Sequence, residues 1–174
     1  ATPARTAGFN SVDTGSLTSA SKLLTCVLMF IGGSPGSTAG GIKTTTIFIL
    51  VVSLWSGITD RHKTAVFKRR FEDDAIKKAS TVFTLNMFLA IFALFTILAI
   101  TDLSLSDVMF EVFSAIGTVG MTTGITRDLS SAARIIIMVL MFCGRVGSLS
   151  FALTFLQGKK DPPVYYPEEE ISVG

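Results

Sequence analysis

The chain has one histidine, two cysteines and few charges, and each shortage removes a class of function. His62, the single histidine, lies in a basic stretch, so no Ser/His/Asp or Cys/His set for nucleophilic catalysis exists. Cys26 and Cys143 each sit inside an apolar run without metal-ligand spacing; they read as buried thiols and say little about redox compartment. Charged residues make up 16% of the chain against 49% hydrophobic, with 14 phenylalanines, which favours a lipid-embedded protein over a soluble enzyme core. The chain reads as a conduit and not as an enzyme.

Two long apolar runs set the class. Residues 79–100 carry no charge over 22 positions, enough to cross ~30 Å of hydrocarbon. Residues 132–157 form the second run, interrupted by Arg134 at its outer end and by Arg145 inside. Neither run lies at the N-terminus, so a cleaved signal peptide does not explain them. Arg61, Lys63, Lys68, Arg69, Arg70, Lys77 and Lys78 crowd the stretch before residue 79, and the positive-inside rule places that stretch in the cytoplasm. Between membrane helices such a cluster is a topology anchor, and no nucleic-acid partner is expected. With Ala65, Val66, Phe67, Phe71, Ala75 and Ile76 among the charges, residues 60–78 read as an amphipathic interfacial helix. Lys159 and Lys160 mark the inner end of the last helix, before an extended tail with three prolines.

Laid over itself at a shift of 112 positions, the chain matches without a gap. Between Thr6 and Gly32, 11 of 27 aligned positions are identical, among them Thr6/Thr118, Gly8/Gly120, Thr14/Thr126 and Gly32/Gly144. Both copies run from a Thr-x-Gly loop through a polar stretch into a long apolar helix, a duplication typical of transporters and channels built from internal repeats. Thr-x-Gly beside a membrane helix has the chemistry of a cation filter. Backbone carbonyls replace the ion's hydration oxygens without fixed charge, and glycine permits the dihedrals that aim them inward. The run 108–117, just before Thr118-Val119-Gly120, is too short to span and reads as a re-entrant pore helix whose C-terminal partial charge favours a cation. Ser104 and Asp107 have capping-box-like spacing at its start. Asp107 and Glu111, one turn apart, read either as attractors of cations to the vestibule or as a solvated outer face.

As one helix, residues 17–58 would measure ~63 Å, about twice the hydrocarbon thickness. Five glycines and Pro35 within 32–41 break it, with helix resuming at about Ile42. Irregular backbone at membrane depth is tolerated where it lines a cavity, so this loop is expected to project into a permeation path; a cytoplasmic linker is the alternative. The segment from Gly36 to Thr44 nearly fits a phosphate loop, but Ile42 separates Gly41 from Lys43 and an apolar helix precedes it, so nucleotide binding here is not expected. The repeat sets Gly33 opposite Arg145: where one copy breaks, the other carries a buried, permanent cation that repels a permeating ion. Arg145 and the 36–41 loop are expected to form a constriction below the filter, the alternative being a structural pairing of the arginine with loop carbonyls.

In order along the chain, these motifs resemble those of the Trk/Ktr/HKT superfamily of potassium and sodium transporters, specifically its bacterial Ktr-type membrane subunit. Arg5-Thr6-Ala7-Gly8-Phe9-Asn10 is similar to the third filter segment of that family, and the stretch from Ala115 to Gly124 to the fourth. The loop from Gly36 to Thr44 resembles the intramembrane gating loop, and Gly144-Arg145-Val146-Gly147 the last helix with its pore-facing arginine. The resemblance implies potassium uptake, with sodium as a candidate coupling ion, through filter residues Thr6, Ala7, Gly8, Phe9, Thr118, Val119, Gly120 and Met121. The ion, K+, would sit at the carbonyls of Thr6, Ala7, Thr118 and Val119, without an organic cofactor in this chain. Gating falls to Gly36, Ser37, Thr38, Ala39, Gly40, Gly41, Lys43 and Arg145. A homodimer in membrane lipid, seated on a cytoplasmic ring of nucleotide-binding regulatory subunits in the bacterial inner (plasma) membrane, completes the expectation.

The expected fold is all-α integral membrane, with helix–pore-helix–helix repeats, re-entrant filter loops and one broken helix. Its parts are a filter and outer loop of an incomplete repeat (1–16), a broken transmembrane helix with a glycine loop at 32–41 (17–58), a cytoplasmic amphipathic segment (59–78), a complete repeat (79–157) and a cytoplasmic tail (158–174). The family plan needs four repeats and this chain holds about one and a half, so it reads as the C-terminal portion of a larger subunit. Two other classes compete. A subunit of a tetrameric potassium channel accounts for Thr118-Val119-Gly120 but not for a second, non-identical copy. A potassium-translocating subunit of an ATP-driven pump shares the repeat plan but needs a phosphorylatable domain elsewhere.

Overall fold

The structure, a computed structural model, describes residues 6–9, 14–34, 37, 40–59, 65–66, 69–70 and 73–147. In chain order these form helices α1 (Ser19–Phe30), α2 (Thr44–Ile58), α3 (Asp73–Ile100), α4 (Leu105–Ile116) and α5 (Ser131–Val146). A short antiparallel ladder, β1 (Ala65–Val66) on β2 (Arg69–Arg70), precedes α3, and a 3-10 turn over Ile125–Arg127 precedes α5.

The duplication reappears as matched helix starts. Thr18 caps α1 and Ser130, its repeat mate, caps α5; each hydroxyl accepts the backbone N–H three residues on, from Ser21 at 3.4 Å and from Ala133 at 3.3 Å. The copies part after Phe30. There α1 stops, while α5 runs four residues beyond the equivalent Phe142, to Val146. The break after α1 is closed at its neck by an isolated parallel bridge between Ile31 and Ile42. Gly32 N donates to Ile42 O at 2.8 Å and Ile42 N to Phe30 O at 3.1 Å, so the Phe30 carbonyl, orphaned by the helix end, finds a partner. Helix resumes at Thr44, two residues later than expected, after Lys43 as N-cap.

Short α4 is the centre of the packing. It contacts α1, α3 and α5 and buries Val108, Phe110, Val112, Ala115 and Ile116. Small Ala90 and Ala93 on α3 let that helix approach, and Leu129, Ala133, Ile137 and Leu140 close the cluster from the α5 side. Phe30 at the end of α1 sets its ring edge-on to Phe113 (5.4 Å between centroids) and Phe83 (6.0 Å), tying the break to α4 and α3.

At 28 residues, about 42 Å, α3 is the one helix among those described that is long and apolar enough to cross a bilayer. Its outward face carries Phe88, Phe92 and Phe95, 60–73% exposed.

Two expectations change. The interfacial helix over 60–78 is not observed: residues 65–66 pair with 69–70, and helix begins only at Asp73. β-branched Thr64 and Val66 and the like charges at 68–70 disfavour helix, whereas Asp73 and Asp74 suit a first helical turn. The short helix begins at Leu105, ahead of the apolar run from 108, with the expected cap at Ser104: its Oγ accepts Asp107 N at 3.3 Å and donates to Asp107 Oδ2 at 2.7 Å. The last helix ends at Val146, with Gly147 at φ 90° as its cap. Residues 148–157 and the 158–174 tail lie outside the described residues, as do Asn10, Gly36, Thr38 and Ala39.

Candidate functional site

The two Thr-x-Gly segments adopt the same backbone. Thr6 and Thr118 both sit at φ 51°, and Gly8 and Gly120 at φ 71° and 80°. A left-handed β-branched residue is a true outlier, and here it occurs twice, at repeat-equivalent positions. For Thr118 the cause is visible. Val119 N donates to Ser114 O at 2.9 Å and Thr118 N to Ala115 O at 3.1 Å, the Schellman pattern that ends α4 and launches the segment.

The segments also meet. A Cβ on Gly8 would lie 2.7 Å from the Val119 carbonyl oxygen, a distance that only glycine permits. Val119 and Met121 turn their side chains into a cluster with Cys26 and Met29 of α1 and Phe110 of α4, whereas Gly120 faces open space. Ala7 and Phe9 are exposed, Phe9 by 80%, with no such backing among the described residues.

Below lies the glycine loop. A Cβ on Gly40 would fall 2.3 Å from Thr118 Oγ1 and 2.9 Å from Gly117 O, so this part of the loop presses on the start of the second segment. Lys43 Nζ reaches back to Ser37 O at 3.0 Å. Arg145, expected to be buried, is exposed: it stands in the last turn of α5 and opens into a cleft of about 370 Å³ that it shares with Ser114, Thr118, Gly120 and Met141. Its place in the last turn of α5 gives it that access. The structure thus brings Thr118, Gly120 and Arg145 to one cleft and Gly40 against Thr118.

Sequence reasoning missed the polar layer around α4. Asp107 and Glu111 do not share a solvated face. Lys22 Nζ contacts Asp107 Oδ1 at 2.8 Å, and hydrogen bonds from Lys22 and then Ser104 hold this carboxyl below the ordinary aspartate range. Its charge is therefore matched within the protein rather than offered to a vestibule. Glu111, 5% exposed, accepts Thr126 Oγ1 at 2.6 Å and also Thr122 Oγ1. Thr14 Oγ1 donates to the Thr122 carbonyl, joining the first copy's loop to the second's. The identity of Thr14 and Thr126 in the repeat was the available signal.

Fold and site together define a helical protein with one described helix long and apolar enough to cross a bilayer and an internal duplication whose two Thr-x-Gly segments abut. The family model described as "TrkH: Cation transport protein" matches residues 1–161, and the chain belongs to this family, one of transporters and not of enzymes. It is 37% identical over 170 residues to Ktr system potassium uptake protein B of Bacillus subtilis (strain 168), covering 98% of this chain and 38% of that protein. To the potassium/sodium uptake protein NtpJ of Enterococcus hirae it is 37% identical over 177 residues, covering 98% and 39%. The crystal structure of the potassium transporter TrkH from Vibrio parahaemolyticus shares the fold with a TM-score of 0.71, at 20% identity, over 89% of this chain and 35% of that one. The chain spans a little over a third of the length of these relatives.

Proposed function

We propose that this chain supplies two of the filter segments and the gate of a potassium uptake pathway. One observation carries the reading: two abutting Thr-x-Gly segments with the same left-handed pattern, at φ 51° and 71° in one copy and φ 51° and 80° in the other. Carbonyls of Thr6, Ala7, Thr118 and Val119 stand in for the water shell of K+, with Phe9 and Met121 flanking them and α4 as the pore helix whose C-terminus points its partial negative charge at the segment. Potassium in the names of the relatives supports the ion, and the potassium/sodium relative supports sodium as a coupling or competing ion.

The loop from Gly36 through Gly41 is the gate, with its Ser37 carbonyl accepting Lys43 and its Gly40 pressing on Thr118, and Arg145, in the cleft that Thr118 also lines, supplies a repelling charge. A homodimer in the bacterial inner membrane, on a cytoplasmic ring of nucleotide-binding subunits, is the assembly this reading entails; the "Ktr system" in the names of two relatives supports a regulatory partner subunit. A single tetrameric-channel filter is disfavoured by the non-identical copy in the same chain.

Potassium-limited growth of uptake-deficient cells expressing the protein tests the reading, and no rescue would refute it. Arg145→Ala tests the gate. Removing a charge worth about 1 kcal/mol to a passing cation should raise potassium leak roughly fivefold. An unchanged leak at equal abundance would remove Arg145 from the gate.

A further inference from the structure

We infer that Glu111 is a positioning residue that clamps the outer end of the 118–121 segment and thereby sets the preference for K+ over Na+; this rests on the filter reading above. Apart from Glu111 and Ser114, α4 buries apolar side chains, and a buried carboxylate is unfavourable there unless hydrogen bonds satisfy it. The neighbouring carboxylate, Asp107, is paired with Lys22, and Glu111 has no part in that ion pair. Its Oε1 is instead the shared acceptor for two hydroxyls, those of Thr122 and Thr126. Both donors belong to the loop that leaves the segment: Thr122 stands two residues past Gly120, and Thr126 lies in the 3-10 turn.

The segment's inner end is already fixed by the α4 cap, through Val119 N on Ser114 O and Thr118 N on Ala115 O. Glu111 fixes the other end. Thr14 then brings in the first copy, since its hydroxyl bonds the carbonyl of the same Thr122. Repeat-equivalent threonines thus converge on one loop, Thr126 through the Glu111 carboxylate and Thr14 through a backbone oxygen. A carbonyl cage held at both ends resists shrinking around the smaller Na+; a cage free at one end adapts to either ion.

The test is potassium uptake in uptake-deficient cells, with KM, maximal rate and inhibition by Na+ measured for the protein and for Glu111→Gln, Thr126→Val and the double variant. Glutamine keeps an acceptor oxygen but loses the stronger hydrogen bonds of a carboxylate. Each single variant should lose about tenfold in preference for K+ over Na+, mainly through KM, at unchanged membrane abundance. The double variant should be no worse than the worse single, because both remove one linkage. If Glu111→Gln fails to accumulate, Thr126→Val, which loses one hydroxyl on an exposed residue, decides alone. A fall in abundance and maximal rate with ion preference intact overturns the inference, as do additive single effects. No uptake by the unmodified protein would refute the filter reading and this inference with it, whereas uptake with unaltered preference in the variants overturns this one only.

Discussion

Gly120→Ser should cut potassium uptake about tenfold while leaving the protein in the membrane at normal abundance. Gly120 stands at φ 80°, where a side chain strains the backbone by about 1–2 kcal/mol. A Cβ there would meet nothing within 4 Å, so no clash confuses the result. Strain can be relieved only by turning the peptide units on either side, which moves the Val119 carbonyl out of the cage, and each 1.4 kcal/mol of lost transition-state stabilisation is a factor of ten. Gly57→Ser in α2 is the control: equally open space, but remote from the segment and from the loop that clamps it. Rubidium or potassium uptake rates, normalised to immunoblotted protein, separate the two. Equal losses in both variants, or none in Gly120→Ser, would show that strained backbone at this glycine is not coupled to ion passage.

Gly144→Ala should destabilise the fold by about 3 kcal/mol or more, near the top of what overpacking normally does. A Cβ on Gly144 would stand 2.1 Å from the carbonyl oxygen of Ile116 and 2.9 Å from its carbonyl carbon. Those atoms are backbone at the last turn of α4, held by α4 hydrogen bonds and by the core around Ile116, and cannot rotate away as a side chain would. α5 must therefore separate from α4, carrying the Arg145 cleft out of register with Thr118. Gly57→Ala in α2 provides the contrast, because a Cβ there meets nothing within 4 Å and alanine should stabilise the helix by roughly 0.5–1 kcal/mol. Thermal unfolding of detergent-solubilised protein, followed by loss of the monodisperse peak, should fall for Gly144→Ala and not for Gly57→Ala. A wild-type melting temperature for Gly144→Ala would mean that α5 does not lie against Ile116.

Much of the architecture was legible because it is local or periodic. Uncharged 79–100 could only be a long apolar helix, and α3 contains it. Glycines and Pro35 in 32–41 announced the break, and repeat-equivalent Thr18 and Ser130 start α1 and α5 in the same register. The stretch 60–78 misled because its apolar residues mimic helical spacing, whereas hairpin pairing between 65–66 and 69–70 depends on backbone partners that spacing does not reveal.

Sequence alone determined the duplication, the paired Thr-x-Gly segments, the broken helix and the membrane class, since each follows from residue type, spacing and run length within a few turns of chain. Tertiary structure alone decided that Gly8 lies on Val119, that Gly40 presses on Thr118, and that Asp107 pairs with Lys22 while Glu111, one turn away, is buried under threonines. The reason is physical: a helix repeats its own hydrogen bonds within four residues, but whether a carboxylate on it meets a lysine 85 positions away or a threonine from the loop beyond depends on which segments the packing around α4 brings together.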